Sequence, residues 1–110
     1  MISKKIDSYL LCLEEQRFFD AHETLEEIWF PLRFINSNEV KLLKGFINAA
    51  VSFELHKRGR IVQSKKVWAN YLKYRQLLYK TESKNLNIYH KLALHIETIN
   101  SNKTTIILPH

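Results

Sequence analysis

Glycine and proline are nearly absent from this chain, with two of each in 110 residues, and there is a single cysteine, Cys12. An all-β fold needs turn residues at its hairpins, so the scarcity argues against one and for helices with short connections. One cysteine excludes an internal disulfide and fits a reducing compartment. On a helical register Cys12 keeps apolar company, the setting of an inert buried thiol. Long apolar runs are missing too. Glu14 and Glu15 cut short MISKKIDSYLLCLEE before it reads as a signal peptide, and no stretch has the length to span a membrane. The expectation is a cytoplasmic protein without membrane contact. At 45% hydrophobic and 25% charged, the chain suits one domain with one core. That domain is expected over residues 1–100, with a C-terminal tail over 101–110.

Charge is present in both signs but unevenly placed. The net charge is +6, yet six of the eleven acids lie between Glu14 and Glu27. No acid falls between Glu54 and Glu82, where Lys57, Arg58, Arg60, Lys65, Lys66, Lys73, Arg75 and Lys80 are found. Such a bipolar chain suits a polyanion, or pairing of its acidic helix with a basic one within or between subunits.

Periodicity predicts five helices. The first runs from about Ser3 to Glu15 and buries Ile6, Leu10 and Leu13. The second starts near Asp20, where Asp20 and Glu23 have capping-box spacing, and stops around Phe30 because Pro31 deletes a helical hydrogen bond. The third spans about Asn38 to Arg58 and ends at Gly59, a natural left-handed C-terminal position. A fourth covers about Ile61 to Lys80, and a fifth about Asn87 to Ile99. The tail SNKTTIILPH has no helical period. The expected fold class is therefore all-α, a compact antiparallel bundle. On the third helix Gly45, Ala49, Ser52 and His56 share one narrow strip of small residues, against which another element packs closely.

FFDAHETLEEIWF, residues 18–30, concentrates the chemistry. Phe18, Leu25, Trp29 and Leu32 mark the core face of the second helix, and His22 lies among them. Glu26 follows one turn later, able to touch His22, while Glu23 sits at the border and Glu27 and Thr24 face outward. A buried carboxylate needs a partner, and a buried imidazole normally has one. One reading is a structural network of Glu26 with His22, extended by His56 or Arg58. The other gathers His22, Glu26 and His56 as metal ligands or acid–base groups. His-Glu-x-x-Glu lacks the second histidine of the zincin His-Glu-x-x-His, so a zincin is rejected. Structural networks of this kind outnumber metal sites. Arg17 and His22 have the Arg-x-x-x-x-His spacing of helical ribonucleases of the higher-eukaryote-and-prokaryote nucleotide-binding class. The residue after that arginine is usually polar, and here it is Phe18.

Taken together, Asp20-Ala21-His22-Glu23, Leu25-Glu26-Glu27-Ile28-Trp29, Leu43-Lys44-Gly45-Phe46-Ile47-Asn48-Ala49-Ala50 and Arg58-Gly59 resemble the family known as domain of unknown function 309. The resemblance covers Phe18 to roughly Tyr74. It implies a small all-α bundle, and it implies no established activity because the family is uncharacterised. Its characteristic positions fall here on His22, Glu23, Glu26, Trp29 and Gly45. Arg60 stands where the family often has Asn, and Ile61, Val62 and Gln63 replace its small residues, so the turn before the fourth helix is expected to differ in shape.

On the fourth helix Lys66, Lys73 and Lys80 recur every seven residues, with Ile61, Trp68, Leu72 and Tyr79 on the opposite, core face. With Arg60 they form a patch able to attract phosphates in a salt-sensitive way, although a solvated lysine face is the commoner outcome. The reading is an interaction or binding module with a structural His/Glu network, leaning away from an enzyme. The expected partners are a second copy, meeting the patch through Glu14, Glu15 and Glu27, or another protein. No cofactor is expected, with the metal question left open. The alternatives are a hydrolase-like metal or acid–base enzyme and a sequence-independent nucleic-acid binder.

Overall fold

The computed structural model describes residues 2–107, with side chains for 2–102. Its order is α1 (Ile2–Glu14), α2 (Phe18–Leu32), α3 (Asn38–Lys57), α4 (Ile61–Arg75), a 3-10 turn (Gln76–Tyr79) and α5 (Leu86–Ile107). Among the described residues there is no strand, and the chain is an all-α bundle. The core is built from Ile6, Tyr9 and Leu13 of α1, Leu25 of α2, Phe46 and Phe53 of α3, Tyr71 of α4, and Tyr89 and Ile96 of α5. No helix among the described residues is long and apolar enough to cross a membrane.

Helix α3 is the axis, with α2 and α4 both packed along it. Ser37 caps its start by accepting from the Val40 amide at 3.1 Å. Its end is a Schellman turn: Gly59 takes φ +81°, the Arg60 amide donates to the Leu55 carbonyl at 2.8 Å, and the Gly59 amide donates to His56 at 3.0 Å. The small-residue strip does receive a close neighbour, and the neighbour is α4. A Cβ placed on Gly45 would lie 2.6 Å from Tyr74 Cβ. Two turns on, Ser52 Oγ donates to the Ser64 carbonyl at 2.8 Å, and Ser64 Oγ returns a bond to the Ser52 carbonyl at 2.7 Å. Both serines are buried, so these bonds tie two helix backbones together without water.

Several boundaries differ from expectation. Helix α2 starts at Phe18 without a capping box; Arg17 is its N-cap and makes no side-chain cap bond. The start is set by α1, which ends in the same Schellman geometry as α3. Gln16 takes φ +60°, and the Arg17 amide donates to the Cys12 carbonyl at 2.8 Å. That turn drops Phe18 onto Phe53, with ring centroids 5.4 Å apart. Pro31 lies inside α2, in its last turn and on its exposed side. The one carbonyl it frees, that of Glu27, belongs to an exposed residue, so the helix continues to Leu32. The expected fourth helix is α4 followed by the 3-10 turn, whose end is held by Asn38 Nδ2 donating to the Lys80 carbonyl at 3.1 Å. Helix α5 runs past Ile99, so residues 101–107 of the expected tail are helical, while 108–110 lie outside the described residues.

Candidate functional site

Helix α2 divides cleanly into two faces. Phe18, Ala21 and Leu25 are buried, and Ile28 and Trp29 pack partly against the core. At 100° per residue, Phe19, His22, Glu23, Glu26 and Phe30 fall within an arc of about 100° that begins beside Trp29 and runs away from the core face. Phe19 and Phe30 are about half exposed, at 48% and 54%. Glu23, Glu26, Glu27 and Phe30 line a shallow groove of about 320 Å³. At its C-terminal end Arg33 lies over both the Phe30 ring, 3.5 Å from its centroid, and the Phe34 ring, at 4.4 Å. Phe34 is 87% exposed. This stacked trio was missed from sequence because the helix was expected to stop at Phe30.

His22 and Glu26 do meet, with Nε2 3.5 Å from Oε1, at the border of the core rather than inside it. The other ring nitrogen, Nδ1, lies 3.2 Å from the Phe19 carbonyl, and the imidazole packs 5.5 Å from the Phe19 ring. When Nδ1 holds the proton and donates to that carbonyl, Nε2 pairs with Glu26 only if it is protonated too. Glu23 is exposed, and Glu27 is held by Lys5 of α1. Trp29 is half-buried, with Lys44 Nζ 4.3 Å from its ring centroid.

His56 is placed elsewhere. It lines a cavity of about 390 Å³ bounded by α1, the start of α2, α3 and α5, and neither His22 nor Glu26 borders that cavity. Arg58 pairs with Glu54 at 2.6 Å and not with Glu26. Among the described residues no group of three or more His, Cys, Asp or Glu side chains is arranged to hold a metal ion. The convergence of His22, Glu26 and His56 is therefore corrected: the third residue sits at the far end of α3, where the strip's direction was legible but not which helix covers it. Its companion in the cavity is His95, which sequence reading passed over. The signal was available, since His95 adjoins the core positions Leu92, Ile96 and Ile99 of α5. Arg17, the other half of the ribonuclease-like spacing, is engaged by Glu15 at 2.8 Å and Asp20 at 3.2 Å. The bond to Glu15 raises its pKa further.

The basic patch lies open. Arg60, Lys66, Lys73 and Lys80 are all exposed. The core face opposite is made by Ser64 and Tyr71, with Trp68 and Leu72 packed partly against them. Ile61 and Tyr79, expected in that face, are 37% and 83% exposed. The 3-10 turn rotates Tyr79 outward and seats Leu78 instead.

Burial dominates the titration of the core phenols. Tyr9 OH donates to the Phe46 carbonyl at 2.6 Å in a fully buried setting, and that burial holds its pKa far above the ordinary value. Burial likewise raises Tyr71 and Tyr89, the latter reinforced by Glu39, which accepts its hydroxyl proton in a bond.

Comparison with curated proteins and with solved structures gives no match. Residues 6–67 match the profile described as Domain of unknown function (DUF309). The matched stretch runs from the core of α1 through α2 and α3 into α4, taking in His22, Glu23, Glu26, Trp29 and Gly45. Since it covers more than half of the sequence, the chain belongs to the family described as Domain of unknown function (DUF309).

Proposed function

We propose that the protein is a cytoplasmic protein–protein interaction module whose working surface is the outer face of α2. The observation that carries this reading is the row Phe19–His22–Glu23–Glu26–Phe30, where two half-exposed aromatic rings stand in line with carboxylates and Phe30 borders an open groove with Glu23 and Glu26. Aromatic side chains supply contact area at low entropic cost, and carboxylates set the sign of the partner. That partner is a second copy of this chain. Its exposed Arg60, Lys66 and Lys73 provide the complementary charge, in a segment without any acid from Lys57 to Thr81. Cytoplasmic placement is supported by the lone, buried Cys12.

Sedimentation velocity over a protein and salt series tests this. A dimer that weakens as salt rises, and weakens further in Glu23→Lys with Phe30→Ser, is the expected result. A monomer at low salt and high concentration overturns it. The exposed Arg60, Lys66, Lys73 and Lys80 also favour a second reading, sequence-independent nucleic-acid binding. Failure to retain DNA or RNA at low salt removes that reading.

A further inference from the structure

The 390 Å³ cavity at the opposite end of α3 belongs to no contact described above for the α2 face. Leu13, Phe18 and Phe53 are almost fully buried and form its floor, with Ile99 partly exposed beside them. Its rim is polar: His56 and Lys57 come from the last turn of α3, and His95 from α5. Among the described residues of the lining Glu14 is the one carboxylate, against His56, Lys57 and His95. Lys57 Nζ donates to the Gln16 carbonyl at 2.9 Å, which fixes the ammonium at the rim and leaves two of its three hydrogens for another acceptor. Ligand sites commonly measure about 300–1,000 Å³, so this one takes a small molecule and excludes a dinucleotide.

We propose that this cavity binds a small aromatic carboxylate. The ring lies against the tilted Phe18–Phe53 pair, whose centroids are 5.4 Å apart, and the carboxylate faces Lys57 and His95. Aromatic pairs gain from offset and edge contacts at this spacing. An ammonium-to-carboxylate bond is stronger than one between neutral groups. The site is independent of the α2 face, and either can fail alone.

The probe is 2-naphthoate, titrated into the full chain labelled at methyl and imidazole carbons and followed by NMR. Saturable shifts at Leu13, Ile99, His56 and His95, with His22 unmoved, are expected. The neutral isostere 2-naphthalenemethanol should bind roughly tenfold more weakly, and Thr98→Trp, which projects an indole into the cavity, should weaken 2-naphthoate by about the same factor. Equal binding of acid and alcohol overturns the anionic head, and equal binding of decanoate overturns the aromatic body. Absence of shifts at Leu13 and Ile99 with millimolar 2-naphthoate overturns the site. Because these titrations use the unaltered chain, the outcome stands even if Thr98→Trp fails to fold.

Discussion

Replacing Gly45 with Ala sets two physical effects of opposite sign against each other. In an ordinary helix interior the change stabilises, because Gly costs about 1 kcal/mol relative to Ala. Here the new Cβ would meet Tyr74 Cβ at 2.6 Å, with Tyr74 Cα at 3.8 Å. The obstacle is the stem of a side chain on a packed helix, so no rotamer change relieves it. To reach 3.4 Å, the near edge of ordinary contact, α4 must withdraw by about 0.8 Å along a seam held by the Ser52–Ser64 bonds. Overpacking costs about 1–3 kcal/mol, and a 2.6 Å approach to a side-chain stem falls in the upper part of that range, about 2–3 kcal/mol. The net expectation is a loss of about 1–2 kcal/mol, which in a domain of this size lowers Tm by roughly 5–10 °C. Thermal and urea unfolding followed by far-ultraviolet circular dichroism measures it. The sign is the test: a Gly45→Ala protein with an unchanged or higher Tm would show that helix propensity governs this position and that the α3–α4 approach is looser than described.

Gln16 holds a left-handed conformation that a side chain adopts at a cost of roughly 1 kcal/mol, so Gln16→Gly should raise stability by about 0.5–1 kcal/mol, read as a higher urea midpoint. A lower midpoint would mean that the Gln16 side chain contributes more than its backbone costs. Ser64→Ala should cost about 1–2 kcal/mol, and Ser52→Ala/Ser64→Ala less than the sum of the singles, because one reciprocal pair is being removed; strict additivity would refute the coupling. His22→Ala should change stability by no more than about 1 kcal/mol, as its pair with Glu26 is partly exposed. A loss of several kcal/mol in a melt would instead make His22 a core anchor. Tyr9, Tyr71 and Tyr89 have folded-state pKa values raised by burial, so stability is intact below the unfolded phenol value and falls as pH rises through and beyond it. The slope should approach about 1.4 kcal/mol per pH unit for each phenol above about pH 10. Tyrosinate absorbance from these three should appear only with unfolding; their titration in the folded protein would contradict the burial.

What the sequence determined by itself is what local physics controls. Ser37 and Gly59 bracket α3 because a hydroxyl cap and a glycine free to take positive φ act within a few residues of themselves. The apolar period drew five helices, and the Gly45–Ser52 strip announced a close neighbour, because a missing side chain is visible in the letters alone. The pairing of His22 with Glu26 was equally legible, being one helical turn.

Tertiary structure decided everything that depends on which surfaces meet. Gln16 is bent into a left-handed turn with no glycine to mark it, because Leu13 and Phe18 on either side are both drawn into the core. The same pull starts α2 two residues before its apparent capping box, and burial outweighs a cap worth about 1 kcal/mol. Tyr79 points outward because the chain tightens into a 3-10 turn after Arg75. His56 and His95 are 39 positions apart in the sequence and share a cavity only because α5 crosses the end of α3. Side-chain spacing within a helix is fixed by the backbone's own hydrogen bonds, whereas proximity between helices is fixed by the summed burial of all of them, which no single stretch of sequence contains.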